Sequence, residues 1–245
     1  EYSITTKGSG INQFTFDSRR LIPGLRTFGE VSYLTERALD FYGYNGYHGS
    51  YYNAAFEDDS PDNTQYISRQ FYRQERKMLR LRLDFQDRFF SDKAKWLAGV
   101  TYYDIRTDTI DIHRLNRGLD DAEKLPDVDG GLYGRYAYQW NIIPEDQRHG
   151  GSTTLLKGGL MFDTRDNEPN PMKGIWTEVL FFYAPNFLGS GDYDFAKIAL
   201  THRQYFTIIH DRLSFVYRIA YQDKLWGKMP AYMLPLILNG GAAYD

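Results

Sequence analysis

Leu79-Arg80-Leu81-Arg82-Leu83-Asp84-Phe85-Gln86-Asp87-Arg88 is the stretch that decides the fold class. Leu79, Leu81, Leu83 and Phe85 fall on one face at a period of two, and Arg80, Arg82, Asp84, Gln86 and Arg88 fall on the other. A helix would scatter these residues around its axis, so the segment reads as a strand with one apolar and one charged face.

The same alternation recurs outward from this stretch. Leu213, Phe215, Tyr217, Ile219 and Tyr221 share a face opposite Arg212, Ser214, Arg218 and Gln222. Leu156, Leu160 and Phe162 oppose Lys157, Asp163 and Arg165, and Ala196, Ile198 and Leu200 oppose Lys197, Thr201 and Arg203. The pattern predicts eight strands, at roughly 11–20, 26–38, 68–90, 94–110, 152–166, 174–185, 193–207 and 211–226, with a ninth at 2–6. Several are long for a soluble sheet, whose strands run to about five or six residues, and suit a tilted membrane strand of about 9–11. The connections near 21–24, 91–94, 168–174 and 208–211 are short, whereas 41–66 and 111–151 are long, polar and rich in Gly, Asp, Tyr and Asn. Residues 186–192 are a brief loop where the alternation calls for a long one. Short turns on one rim and long loops on the other are the arrangement of outer-membrane barrels. The expectation is therefore an all-β antiparallel transmembrane barrel segment, one domain over 1–245, whose apolar residues face lipid. The rival is a soluble β-sandwich, which would seal those side chains between two sheets.

Composition agrees with the barrel. The 245 residues include 21 Tyr and 16 Phe, more amphipathic rings than a polar soluble domain uses, and aromatic girdles at two membrane interfaces would employ them. Mean hydropathy is −0.56 and no apolar run approaches the ~18 residues of a membrane helix. Glu1–Thr5 has neither a basic start nor an apolar run, so no signal peptide is visible. A net charge of −3 does not favour a nucleic-acid partner, and the lack of cysteine excludes disulfides, thiolate metal sites and a cysteine nucleophile.

One segment is more specific than periodicity. In Gly158-Gly159-Leu160-Met161-Phe162-Asp163-Thr164-Arg165-Asp166-Asn167-Glu168-Pro169-Asn170-Pro171-Met172-Lys173-Gly174-Ile175-Trp176, a strand runs into Asp-Thr-Arg-Asp, a proline-rich turn follows and Gly174 opens the next strand. Pro169 and Pro171 stop the ladder, and Gly174 permits a backbone conformation other residues resist. Asp163 and Arg165, two apart, project to one face and can pair in the lumen. Transport or gating is one use of Asp163, Arg165 and Asp166; a turn-fixing ion pair is the favoured one.

This segment resembles the BamA/TamA family of outer-membrane assembly factors, the bacterial surface antigen family, in which a strand ending Asp-x-Arg-Asp, then Pro and Gly, makes a periplasmic turn near the middle of the barrel. Asp163, Arg165, Asp166, Pro171 and Gly174 carry the likeness, and Thr201-His202-Arg203-Gln204-Tyr205-Phe206 is similar to members from Bacteroidota. The resemblance is closest over 150–240. It implies a sixteen-stranded barrel of which this chain covers about the third to the eleventh strand, without the N-terminal POTRA repeats, the closing strands or the Arg-Gly-aromatic lumen-loop motif. Nine strands alone would leave edges that lipid does not tolerate, so the expectation is a fragment, or a barrel completed by another polypeptide. The implied function is insertion or translocation of proteins at the outer membrane of a Gram-negative bacterium. It needs no cofactor and works through a weakly paired seam that templates client strands by β-augmentation. The implied partners are outer-membrane lipids, client outer-membrane or secreted proteins, and accessory periplasmic or surface lipoproteins.

Two alternatives belong to other classes. One is a passive channel or structural barrel. The other is a rim hydrolase using Asp104, Asp108, Asp111 and His113, but strand periodicity divides that set between two faces and no Ser-His pair has a recognisable context, so no catalytic residue is assigned. His48, His113, His149, His202 and His210 show no metal-ligand spacing, and Glu57-Asp58-Asp59-Ser60-Pro61-Asp62 lacks an EF-hand pattern. Tyr42, Tyr44, Tyr47, Tyr51 and Tyr52 could form a binding surface; a girdle rim or a loop folded over the pore is favoured.

Overall fold

The computed structural model describes residues 1–5, 8–44, 47–189, 191–210 and 212–235, with backbone alone at 47–50. The strands of the main sheet are β1 (Tyr2–Ile4), β2 (Gly10–Ile22), β3 (Leu25–Asp40), β6 (Arg73–Ser91), β7 (Ala94–Thr109), β8 (Gly151–Asp163), β9 (Gly174–Ala184), β10 (Phe195–Ile209) and β11 (Leu213–Gly227), all long except β1. They form one nine-stranded sheet in the order β1-β2-β3-β6-β7-β8-β9-β10-β11, every neighbour antiparallel. The short β4 (Gly43–Tyr44) and β5 (Tyr47–Ser50) pair with each other inside the first long loop. No described helix is long and apolar enough to cross a membrane, which says nothing against crossing by strands.

Register places the alternating residues as their period demands. Leu81 pairs with Tyr102 and Leu83 with Val100, which pairs in turn with Leu156, so apolar residues line up across the outer face. They are not sealed between sheets: Phe14 is 68% exposed, Leu160 54% and Ile219 55%. The opposite face carries Glu30, Arg80, Arg82, Asp84, Lys157, Glu178, Arg203 and Arg218. Arg80 on β6 and Arg218 on β11, five strands away, line one cavity, so the sheet curls toward its charged side. A single curved sheet, apolar outside and charged inside, is barrel wall rather than sandwich.

Three expectations need correction. The third strand does not begin at 68: residues 69–72 make a 3-10 turn, because the Ser68 hydroxyl accepts the Gln70 N–H and closes it. β8 ends at Asp163, not 166, because the side chains of Asp163 and Asp166 bind turn backbone. The long loops, read as polar, fold around an apolar core of their own. Phe41, Tyr44, Phe71, Tyr72, Ile110, Leu132, Tyr133, Tyr136 and Ile143 are buried together there, with α1 (Ile112–Leu115) and α2 (Gly131–Gly134) contributing. Phe41 makes edge contacts with Tyr44, Tyr133 and Tyr136 at centroid distances of 5.4, 5.4 and 5.3 Å. Polar residues dominate these loops by count, yet enough rings remain to exclude water locally.

Candidate functional site

The inner wall is assembled from the charged faces of β3 and β6 to β11. Along β3 and β6, Arg76 Nε donates to Glu36 at 2.6 Å and Arg80 Nε to Glu30 at 2.8 Å. Arg82 donates to Asp84 at 2.5 Å and lies 4.9 Å over the Phe28 ring. Asp84 also accepts from Lys157 Nζ at 2.6 Å, although β7 lies between their strands. The residue between them is Gly99, the register partner of both. A Cβ at Gly99 would meet Asp84 Oδ1 and Leu83 O, so only glycine lets the carboxylate lie across β7. The two side chains are 4% and 5% exposed, so this is a buried pair whose desolvation is offset by direct contact and by Arg82.

Further round the wall the sign of the charge changes balance. Arg203 on β10 and Arg218 on β11 are direct register partners. The Arg203 guanidinium stands 5.0 Å over the Trp176 ring. A cavity of about 250 Å³ is lined by these three residues together with Lys157, Glu178 and Thr201.

The turn singled out in the sequence holds itself together. Arg165 grips Asp163 through two hydrogen bonds, Nε to Oδ1 at 2.9 Å and Nη2 to Oδ2 at 2.8 Å. Asp166 Oδ1 accepts the Met172 and Lys173 N–H groups at 3.1 and 3.3 Å. The Thr164 hydroxyl accepts Ile175 N–H at 3.0 Å. Gly174 has φ +110, and a Cβ there would lie 2.8 Å from Arg165 Cα. Asp163, Arg165, Asp166 and Gly174 are thus brought together as one unit that closes the β8–β9 connection; Pro171 sits within it, just before Met172.

At the long-loop end, the segment after β11 turns onto the inner wall. Tyr232 and Met233 pack against Met78, Tyr103, Ile105, Leu155 and Phe195, all on the inner face. Tyr232 OH donates to Ser152 O at 3.1 Å, and its ring rests where a Cβ on Gly151 would lie 2.7 Å away. Ala231 N–H donates to Gln147, Gln147 donates to Tyr193 OH, and Tyr193 donates to Asp146 at 2.6 Å. Burial, then the hydrogen bond to Asp146, pushes the Tyr193 hydroxyl up to about 12. Burial likewise raises Tyr133, whose hydroxyl donates to Arg148 O at 2.9 Å.

The other residues weighed in the sequence have local partners. Asp104 pairs with Arg106 at 3.5 Å, Asp108 accepts Thr109 N–H at 2.8 Å, Asp111 caps α1 by accepting Arg114 N–H at 2.8 Å, and His113 is exposed. His202 lies on the outer face, its Nδ1 2.8 Å from Thr177 Oγ1. Asp58 accepts Ser60 N–H at 3.1 Å and Glu57 accepts Tyr52 OH at 3.0 Å. Tyr44 is buried in the loop core, Tyr42 stacks on Tyr72 at 5.0 Å, and Tyr51 meets Trp140 at 5.7 Å; the side chains of Tyr47 and His48 lie outside the described residues. The described tyrosines of this cluster make a packed loop, and among them only Tyr52 is largely exposed. Among the described residues, no group of three His, Asp or Glu is arranged to hold a metal ion.

Sequence reasoning placed Arg and Lys in the lumen but missed the bridge over Gly99 and the inward turn of 229–234. Lone glycines in alternating strands were the available signal for the first.

No curated protein sequence matches the chain. The family model of the Omp85 superfamily domain matches residues 29–233, a span that contains β6 to β11 entire, β3 from Gly29 onward, and the Asp163–Gly174 turn. With an apolar outer face, a charged concave face and this match over most of its length, the chain belongs to the Omp85 superfamily of outer-membrane proteins that act in protein insertion or translocation.

Proposed function

We propose that the chain is a segment of the wall of a sixteen-stranded, BamA/TamA-type barrel that inserts client β-barrels into the outer membrane of a Gram-negative bacterium. The single observation that carries this reading is the Omp85 match over 29–233 falling on a sheet whose outer face suits lipid and whose inner face is charged. Among the described residues β1 and β11 each pair on one side only, and such edges are not stable in hydrocarbon, which supports further strands beside them. The turn unit at Asp163, Arg165, Asp166, Pro171 and Gly174 serves this barrel by fixing strand register at the periplasmic rim. Packing of Tyr232 and Met233 against the inner wall supports a gated conduit over a passive open channel.

Depletion of the full protein tests the reading. Folded outer-membrane barrels, scored by heat-modifiable gel mobility, should fall together as a group. A fall confined to secreted proteins would move the assignment to translocation, and unchanged levels of both would reject the proposal.

A further inference from the structure

We propose that Arg203 and Arg218 form a carboxylate-binding clamp on the inner wall, and that its ligand is an extended acidic segment of a polypeptide within the lumen. The inference deepens the reading above and rests on it for the presence of a polypeptide there.

Two arginines directly opposite each other on neighbouring strands repel, and such a pair lowers sheet stability unless an anion lies between them. Among the described residues neither arginine has a carboxylate ion-pair partner; the contact made by Arg203 is the face of Trp176. The remaining inner-wall arginines differ, since Arg76 holds Glu36, Arg80 holds Glu30 and Arg82 holds Asp84. Where the wall has neutralised its own arginines it has done so with short ion pairs. Among the described residues no carboxylate does so at 203 and 218.

The surroundings suit a carboxylate. The cavity of about 250 Å³ in front of the pair has room for a side-chain carboxylate and the backbone bearing it; the Thr201 hydroxyl lines it, and Arg80, Arg82 and Lys157 join the pair there against the one carboxylate of Glu178. Cation–π contact holds the Arg203 guanidinium without using up its N–H groups, leaving the planar fork free for bidentate recognition. A polypeptide is favoured over a small anion because the arginines stand in a row across β9, β10 and β11 with Trp176. A row of this kind supplies charge and an aromatic face to a chain laid along it.

The test uses the full-length protein in detergent and a fluorescent, extended, glutamate-bearing peptide, with its glutamine counterpart as control. Wild type should bind the acidic peptide at least about tenfold more tightly than the control, less so as salt rises. R203Q/R218Q should lose that preference while keeping heat-modifiable mobility, and R203K/R218K should restore part of it. Equal binding of the two peptides would mean the pair is neutralised within the barrel itself and would overturn the proposal. So would an unchanged R203Q/R218Q, or displacement of the peptide by an equal concentration of citrate. Because this is direct binding, its result is separate from the depletion experiment: selective binding with unchanged outer-membrane protein levels would reject the insertion function and leave the clamp standing.

Discussion

Asp84 and Lys157 meet at 2.6 Å across an intervening strand, over the bare backbone of Gly99. Three strands are thereby tied by one ion pair, where backbone ladders tie only neighbours. Replacing Gly99 by Ala should force the carboxylate aside and cost about 1–3 kcal/mol of barrel stability. Urea titration of heat-modifiable mobility reads the change; an unaltered midpoint would show that Asp84 does not need the space.

Removing one partner of that pair should be worse than removing both. Lys157→Met leaves Asp84 with Arg82 alone and should destabilise by about 3 kcal/mol, near the low end for breaking a buried pair. Asp84→Asn combined with Lys157→Met should recover much of the loss, because no uncompensated charge remains buried. A double variant as unstable as the sum of the singles would show that the two side chains act independently.

In the β8–β9 turn, the Asp166 carboxylate holds two backbone N–H groups and Gly174 occupies a left-handed conformation. Asp166→Ala should cost about 1–2 kcal/mol and Gly174→Ala about 1–3 kcal/mol, both read as slower refolding into lipid and greater protease cleavage at 164–173. Arg165→Lys should also weaken the turn, since an ammonium cannot reproduce the two-pronged grip on Asp163. Wild-type refolding in all three variants would remove the turn from the account of register.

Alkaline pH should release the segment packed on the inner wall. Tyr193 is 6% exposed and its pKa is raised from 10.0 to about 12, first by burial and then by the hydrogen bond to Asp146. A group whose pKa is raised in the folded state contributes stability that is fully present below its unfolded value. That contribution is lost as pH climbs through the folded value. The attachment of 229–234 should therefore hold up to pH 10 and fail between 10 and 12. Proteolysis in that segment should rise over this window, and clearly less so in Tyr193→Phe; a rise of the same size in Tyr193→Phe would assign the effect to another group, such as the buried Tyr232 hydroxyl.

Strand identity, the apolar and charged faces, the alternation of short turns and long loops, and the Asp163–Gly174 unit were all legible in the sequence. Each depends on local geometry: period-two alternation is a property of extended backbone, and the turn partners lie within a dozen residues of each other. Which charges meet was not legible. Asp84 and Lys157 are 73 residues apart, and their contact exists because two strand registers set both beside Gly99. The opposition of Arg203 and Arg218 follows from the β10–β11 register in the same way. Nor could the tyrosines of the long loops declare their surroundings. A ring that is apolar on its face and polar at its tip suits a membrane girdle, a binding surface or a packed core, and only the convergence of 41–72 with 110–143 chose the last.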